Sequence, residues 1–551
     1  MTQQPKPPPP PKPPAPPPPD RTSPKAATYL PLIVPIILFI ASLYIPPGVD
    51  YDPGEGFRVL QNMLKGGAFN TVTIPDPANI AQDVIKFQTY WSPGQYLVPG
   101  SFIWLGSNYG VALSFTALIA TLIGVVGWIQ VARSFAVTPF VLSIFVLGLC
   151  TFSYVTLPFQ TYNGGELLLF AVAPWSLYAM RWAVNKRPIL CLTISIVSAA
   201  LLFVAKLTGI IVFAANVGAI SLLGLINQRR LTSSIIAMWV ASAIGALCFL
   251  MFWRARGPYP GGGSTFSFHW FPIWFSLAGA TFSGISGFDF SGWFLGDPWW
   301  DISTWLPSTG TTYPASRGTT LLTYVFGPLG LLLIGWVWLR LRRTPYRDMA
   351  ILLLSIISLY AVALAAMYLR KANISVEERH FRYAGILFFL LVLTALDQRR
   401  VPLAKGLICV TIFVLGCYGL QQYITAAYAQ MQRGYYDPMT GISQAVSPTI
   451  LQYLRSDARQ HNIQRPVAVI PSPPVSISVP QFRTILIDEI AAIDRHAEFA
   501  ALKFAGRAER IFVLVPHELT GKAEAILRSF TGYEFDSWRQ TSLDGMIIYT
   551  Q

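Results

Sequence analysis

The chain has 551 residues, of which 53% are hydrophobic and only 12% are charged, and its formal net charge is +14. Soluble globular domains carry about 25% charged residues, so much of this surface must face something other than water. Apolar runs of about 20 residues recur along the chain, and each is long enough to cross a bilayer core as a helix. The composition excludes an ordinary soluble protein and predicts a polytopic α-helical membrane protein.

The apolar runs predict eleven transmembrane helices. They lie near residues 28–46, 111–132, 136–154, 165–184, 188–205, 207–226, 231–253, 319–339, 349–369, 383–397 and 402–422. Every second loop holds arginine or lysine and falls on the side of the basic N-terminal tail, as the positive-inside rule requires. We therefore expect a cytoplasmic N-terminus and an extracytoplasmic C-terminus. Because orientation accounts for the positive charge, we expect no nucleic-acid partner.

Composition divides the chain into three parts. Residues 1–27, which are mostly proline from Pro5 to Pro19, predict a disordered cytoplasmic tail, with a docking site for a cytoplasmic partner as the alternative. Residues 28–424 form the predicted transmembrane domain, with long outer loops at 47–110 and 254–318. The second loop is rich in glycine, serine and tryptophan, which favours a lid or a binding surface.

Residues 425–551 alternate short β-rich runs with helical patterns, which predicts a small soluble α/β domain on the extracytoplasmic side. The segment has no glycine-rich phosphate loop, nucleophile elbow or metal-ligand cluster. We expect this domain to support the membrane domain or to bind a partner.

Three acids follow directly after the first apolar run: Asp50, Asp52 and Glu55. One interpretation is a solvated loop in which they cap the helix that follows. The other interpretation starts from their position at the membrane exit, before an amphipathic helix that can lie along the interface. A carboxylate there can accept the proton of a hydroxyl group, and Asp50 and Asp52 could hold a divalent metal ion that neutralises a lipid-linked phosphate. No other cofactor is indicated.

Further candidates flank the predicted outer ends of later helices. Tyr90, Trp91 and Gln95 surround Pro93 and Gly94, which indicates a rigid turn back to the membrane as well as an aromatic belt. Lys206 is a lone cation in an apolar stretch and indicates either a functional site or a side chain that snorkels to the interface. Glu166 opens a helix and is either a partner of the helix dipole or a cavity acid.

The segment between the ninth and tenth helices is the most specific signal. It contains Arg379, His380, Arg382 and Tyr383 in a loop on the outer side, where positive charge is least expected. Orientation cannot explain these cations. Arginine binds phosphate bidentately, so a lipid phosphate site is favoured over salt bridges to the neighbouring glutamates.

The order of three motifs resembles the GT-C superfamily of polyprenyl-phosphate-sugar glycosyltransferases, particularly the bacterial branch related to protein mannosyltransferases and the lipid A aminoarabinose transferase. GEGFRVLQNMLKGG follows the first helix, YWSPGQYLVPGSFIWLG returns to the membrane, and RHFRY precedes a late helix. The resemblance covers roughly residues 28–400. This chain departs from it in one respect, because Gly54-Glu55 stands where the family often has adjacent acids.

The resemblance implies an inverting transfer of a sugar from a polyprenyl-phosphate donor to a glycan, glycolipid or protein acceptor outside a bacterial inner membrane. It implies that Asp52 is the base, with Asp50 second and Glu55 assisting, and that Arg379, Arg382 and Lys206 bind the donor phosphate. Two alternatives remain: a transporter or flippase for a lipid-linked glycan, and a non-catalytic subunit of envelope assembly.

Overall fold

The structure is a computed structural model that describes residues 28–88, 91–229, 231–254, 266, 268–284, 317–370, 378–398, 402–490 and 502–551. The proline-rich tail, Tyr90 and most of the loop 254–318 lie outside the described residues. Helices dominate up to residue 433, and a mixed sheet dominates after it. The predicted fold class, a helical membrane protein with a C-terminal α/β domain, is confirmed.

The described helices of the membrane domain are numbered in chain order. They are α1 (Ile33–Tyr44), α2 (Tyr51–Leu64), α3 (Gly94–Trp104), α4 (Tyr109–Ser134), α5 (Pro139–Thr151), α6 (Ser153–Thr156), α7 (Gly165–Ala183), α8 (Pro188–Ala205), α9 (Gly209–Gln228), α10 (Ser233–Arg254), α11 (Trp270–Phe282), α12 (Arg317–Leu341), α13 (Arg347–Leu369), α14 (Arg382–Asp397) and α15 (Pro402–Arg433). Each of the eleven predicted segments coincides with one of these helices.

In the described ranges, eight helices are long and apolar enough to cross a membrane, and the bent pair of α5 with the turn after it makes a ninth. The bend of 54° follows Phe152, whose extended backbone interrupts the helical hydrogen bonds. Two predicted spans fall outside this set. The helical segment Leu30–Tyr44 is shorter than a full span, and α7 carries charge in its first and last turns.

Small residues allow the central helices to pack closely. On α4, a Cβ at Gly124 would lie 2.4 Å from the Phe170 ring of α7, and a Cβ at Gly127 would lie 2.8 Å from Pro174. Since lipid tails are as apolar as the side chains, close packing of this kind is what holds transmembrane helices together. The large core cluster of buried residues extends from α4 to α15.

One end of the bundle carries ordered structure built from residues 47–110, the first predicted outer loop. The strand β1 (Gly48–Val49) pairs in parallel with β4 (Thr161–Tyr162), and the strands β2 (Thr71–Asp76) and β3 (Asn79–Phe87) form an antiparallel hairpin. Helix α2 lies between β1 and this hairpin in the chain. Helix α11 was not predicted: it lies in the outer loop 254–318 and buries Phe271 and Phe275.

After α15 the chain enters the C-terminal domain. Two short strands, β5 (Tyr436–Asp437) and β6 (Ile442–Ser443), precede the elements α16 (Pro448–Gln460), β7 (Val467–Ile470), α17 (Val475–Ser478), β8 (Arg483–Leu486), β9 (Ile511–Pro516), α18 (Ala523–Leu527), β10 (Arg539–Leu543) and β11 (Met546–Thr550). The main sheet has the order β10-β11-β9-β7-β8, with β9, β7 and β8 parallel. One apolar cluster packs on each face of this sheet.

Candidate active site

Backbone hydrogen bonds bring together two acidic segments that are far apart in the sequence. The amide of Asp50 donates to the carbonyl of Tyr162 at 3.0 Å, directly beyond the parallel pairing of β1 with β4. Gly164 then adopts a φ of 61°, and a Cβ there would lie 2.9 Å from the Gln95 side chain. Glycine is required because this left-handed, crowded turn has no room for a side chain. The turn places Glu166, in the first turn of α7, near the start of α2.

Arg379 lies at the centre of an acid–cation cluster, which we define as Asp50, Asp52, Glu166, Lys206 and Arg379. Its nitrogens lie 3.3 Å from the Asp52 carboxylate, 3.6 Å from Glu166 and 3.9 Å from Asp50. The predicted meeting of the acids after the first helix with the cations before the tenth is therefore found in the structure. The contact with Asp52 is the shortest of the three. The Arg379 guanidinium is therefore shared unequally among three carboxylates.

Lys206 completes the cluster from the break between α8 and α9. Its backbone is extended, with φ −159° and ψ 145°, and this conformation ends α8. Its ammonium lies 2.5 Å from the Glu166 carboxylate. Glu166 is thus held between two cations, and the interpretation of Glu166 as a cavity acid describes its contacts better than that of a dipole partner.

The cluster lies at one side of a cavity with about 410 Å³ of empty space, counting the volume at its mouth. Lys206, Glu166 and Arg379 line it together with Arg382 and Tyr383, and its apolar wall consists of Trp128, Tyr154, Leu169, Phe170 and Ile386. Within the described ranges Arg382 makes no ion pair and is half-buried. The indole nitrogen of Trp128 and the hydroxyl of Tyr154 are buried without a hydrogen-bond partner in the same part of the chain. Buried donors of this kind are rare in native proteins and indicate a site for a ligand's oxygens.

Asp52 has the electrostatic character of a proton acceptor. Burial raises the pKa of its carboxyl above the ordinary value, Arg379 opposes that shift, and the neighbouring carboxylates of Glu166 and Asp50 add to it. A base with a raised pKa binds a proton more tightly at neutral pH. Asp50 differs, because its carboxylate also accepts from the amide of Tyr51 and caps α2. The capping interpretation of the acids therefore applies to Asp50.

The structure does not bring Glu55 to this cluster. Its carboxylate accepts from Arg58 at 2.8 Å and from the Gln88 amide at 3.2 Å, and both Glu55 and Arg58 are only 4% exposed. It thus lies in a sealed ion pair, whereas the sequence analysis expected it to assist the base. The reason is the arginine one helical turn away, which captures the carboxylate.

The remaining predicted residues are distributed around the cluster. The Gln95 amide donates to the backbone carbonyl of Asp52 at 3.3 Å, so it positions the start of α2. Tyr383 lines the cavity and donates to Asn216 at 2.7 Å. His380 is buried and is not among the cavity residues, and its carbonyl accepts from Tyr360 at 2.6 Å. Trp91 is half-buried just before α3.

The donor set does not fit the divalent metal that the acids suggested. The facing carboxylates of Asp50 and Asp52 both point to the Arg379 guanidinium, which is the counter-charge between them. In the parts of the chain that the structure describes, no group of three His, Cys, Asp or Glu side chains is arranged to hold a metal ion. We derive no chemical step through a metal.

Comparisons with known proteins identify the fold. No protein-family model matches the chain, and no curated protein matches it. Two crystal structures of ArnT from Cupriavidus metallidurans are similar: the apo state with a TM-score of 0.54 at 12% identity, and the undecaprenyl-phosphate complex with 0.53 at 11%. Each alignment covers 95% of this chain and 98% of ArnT. The chain shares the fold of ArnT. The Archaeoglobus fulgidus oligosaccharyltransferase aligns with a TM-score of 0.46 at 13% identity, covering 95% of this chain and 74% of that one.

The apolar side of the cavity was not predicted from the sequence. Trp128, Tyr154 and Phe170 lie inside apolar runs, where aromatic residues are ordinary core residues. One feature of the sequence pointed to them: the indole NH of Trp128 and the hydroxyl of Tyr154 are polar groups. A fully apolar helix environment leaves such groups without a hydrogen-bond partner. Asn216, a buried amide in the middle of α9, gave the same signal.

Proposed function

We propose that the protein is a glycosyltransferase that moves a sugar from a polyprenyl-phosphate donor to an envelope glycan, glycolipid or protein acceptor. The observation that carries the proposal is the contact of Asp52, our proposed base, with Arg379, which lines the cavity together with Lys206 and Arg382. A flippase needs no such base. The GT-C fold, shared with an ArnT structure that contains undecaprenyl phosphate, supports a lipid-linked donor.

The proposed reaction uses the two sides of the cluster separately. Asp52 accepts the proton of the acceptor hydroxyl while the hydroxyl oxygen attacks C1 of the sugar. The bond from C1 to the phosphate oxygen breaks, and the electron pair leaves with the polyprenyl phosphate. Arg382 stabilises that leaving anion, because it is the cavity cation that is not already paired with a described carboxylate. A single displacement of this kind inverts the configuration at C1.

Lys206 and Arg379 contribute to the donor site indirectly. Both are already paired with Glu166, so the cluster offers the phosphate little net positive charge from them. The Trp128 and Tyr154 donors, buried without partners, are suited to bind phosphate or sugar oxygens on the apolar side. The lipid chain then occupies the surrounding bilayer, between helices that are apolar enough to span it.

We also infer the orientation of the protein from its loops. The bundle end opposite the cluster carries Arg133, which donates to the Tyr29 hydroxyl, and Arg181, which donates to the carbonyl of Ser134. Positive residues mark the cytoplasmic side, so the cluster and the C-terminal domain lie outside the bacterial inner membrane. The proline-rich tail remains a proposed cytoplasmic segment.

The test is transfer by the purified protein in lipid nanodiscs, with polyprenyl-phosphate sugars as donors. Mass spectrometry of envelope glycans and lipid-linked sugars from a deletion strain selects the donor, since its polyprenyl-phosphate form should accumulate. With that donor, we expect Asp52→Asn to lower the rate of transfer by about 10²–10⁴-fold, the usual contribution of a general base.

Matched variants separate this expectation from its alternatives. Asp50→Asn keeps the side-chain oxygen that caps α2 and should lower the rate less than Asp52→Asn does. Asp536→Asn, on an exposed turn of the C-terminal domain, should change nothing. Full transfer by Asp52→Asn would refute the assignment of the base, and lipid movement across the membrane without glycosidic bond formation would identify a flippase.

A further inference from the structure

Helix α2 has a second charged face, turned away from the cavity. It carries the Glu55–Arg58 ion pair, whose side chains are 5% and 3% exposed. The second terminal nitrogen of Arg58 donates at 2.9 Å to the carbonyl of Thr484, in the edge strand β8 of the C-terminal domain. Arg58 therefore joins the helix that begins at Asp52 to a strand 426 residues further along the chain.

Two more contacts fix the same helix to α17 of that domain. The Gln61 amide donates to the carbonyls of Ser476 and Ile477, each at 3.3 Å. At Gly54, a Cβ would lie 2.6 Å from the Pro474 ring, so the backbone of α2 lies directly against this turn. Together with Arg58, these contacts run along the first three turns of α2.

The hairpin after α2 is bound to the same edge of the sheet. Asp83 forms ion pairs with Arg465 and with Arg483, the latter at 2.6 Å. The backbone amide of Ile80 donates to Ala505 at 2.8 Å, and the Ala505 amide donates back to Pro77 at 2.9 Å. Helix α2 and the hairpin, which both lie within the predicted outer loop 47–110, are thus held by the C-terminal domain.

We propose that the C-terminal domain sets the position of the catalytic acid, and that Arg58 is the positioning residue that carries this coupling. The proposal rests on the proposed function, because it takes Asp52 as the base. Asp52 contacts Arg379 on one side, while six residues later Arg58 is anchored on the other. Since α2 is a continuous helix, a shift of the domain tilts Asp52 relative to the cavity.

The buried ion pair stabilises one specific docking of the C-terminal domain on helix α2. Arg58 satisfies an edge carbonyl that would otherwise be buried without a donor. Its counter-ion Glu55 accepts a hydrogen bond from Gln88, the residue directly after β3 of the hairpin. Helix α2, the hairpin and the sheet therefore share one set of hydrogen bonds. Undocking the domain would expose both charges and free the start of α2.

The test compares Arg58→Gln and Arg58→Lys with the full-length protein. A side chain of glutamine length cannot hold Glu55 and reach Thr484 together, so we expect a fall in kcat of roughly 10–100-fold, which is the effect of a displacement of about 1 Å at a reacting group. The KM for the lipid-linked donor should stay unchanged, because its phosphate is bound by other residues. Arg58→Lys, which keeps the charge, should restore part of the kcat.

Hydrogen exchange of residues 51–64 gives a second measurement that needs no substrate. We expect faster exchange in Arg58→Gln across α2, with α4 and the central strand β9 unchanged. The control is Arg528→Gln, which breaks an exposed Arg–Glu pair of the same 2.8 Å length in the C-terminal domain. Unchanged kcat and unchanged exchange in α2 would overturn the proposal, and so would a uniform loss of protection with kcat and KM altered together. If the wild type transfers no sugar at all, the proposed function fails, while the exchange data still decide the coupling.

Discussion

Helix α2 carries two arginine–carboxylate groups that differ in almost every physical respect. The Glu55–Arg58 pair is sealed, with a contact of 2.8 Å and hydrogen bonds to Gln88 and Thr484. The group around Arg379 is half-open, and its contacts to three acids range from 3.3 to 3.9 Å. The two terminal nitrogens of Arg58 are already bound to Glu55 and Thr484 in a buried site, whereas loosely shared charges can exchange partners when a ligand enters. This difference supports our proposal that the group around Arg379 is the reactive one.

The largest expected effect on stability comes from breaking the sealed pair on one side only. Glu55→Leu leaves the Arg58 guanidinium buried without its counter-ion, and breaking a buried pair in this way costs about 3–5 kcal/mol. We expect a corresponding fall in the free energy of unfolding of the C-terminal domain together with α2, measured by denaturant titration in nanodiscs.

The double variant sharpens that comparison. In Glu55→Leu with Arg58→Met both charges are absent, so most of the lost stability should return, since apolar replacements of a buried pair are often neutral or stabilising. Transfer should remain slow, because the anchor to Thr484 is gone. A single variant as stable as the wild type would show that the pair is not sealed.

The next largest effect concerns Arg382 and the affinity for the phosphate of the lipid-linked donor. Arg382→Ala removes the cavity cation that has no ion pair among the described residues, and a hydrogen bond to a charged group contributes about 1.5–3 kcal/mol. We expect the Kd for a polyprenyl phosphate to rise about 10–100-fold at fixed ionic strength, measured by calorimetry in nanodiscs.

Arg379→Ala provides the contrast within the same cavity. Arg379 is shared among three carboxylates, so its loss should leave repelling acids and disturb the position of Asp52 more than the affinity for the lipid phosphate. Equal loss of lipid affinity in the two variants would contradict the distinct roles that we propose for them.

Much of the fold could be read from the sequence, because hydrophobic periodicity is local. All eleven predicted helical segments are helices, and the runs VAVI, RTIL, IFVLV and MIIYT are strands of the main sheet. The strand β10 was missed because its residues, RQTSL, are polar and mostly exposed at the sheet edge. Helix α15 continues past its predicted end at residue 422 to Arg433, since amphipathic residues extend the apolar run into the outer side.

The site was predictable only where charge was out of place. Arg379 stood out because the positive-inside rule could not explain it, and the structure brings it to Asp52. The pairing of Glu55 with Arg58 follows the local i, i+3 spacing, whereas the anchoring of Arg58 to Thr484 is a contact that no local pattern encodes. Trp128 and Tyr154 stayed hidden for the opposite reason, since aromatic residues in apolar helices are expected everywhere.

The smallest expected effect is the cost in stability of keeping Asp52 charged. Burial raises the pKa of Asp52 in the folded protein above the ordinary 3.8, despite Arg379, so the folded state binds this proton more tightly than the unfolded chain does. Stability from this group is therefore present below pH 3.8 and is lost as the pH rises through the raised pKa. We expect Asp52→Asn to be slightly more stable than the wild type at neutral pH, with the difference vanishing in acid, measured as unfolding temperatures across that range. Asp536→Asn controls for the exchange of a carboxylate for an amide. A wild type more stable than Asp52→Asn at neutral pH would show that Arg379 outweighs burial, and a carboxylate held that firmly would be a poor proton acceptor.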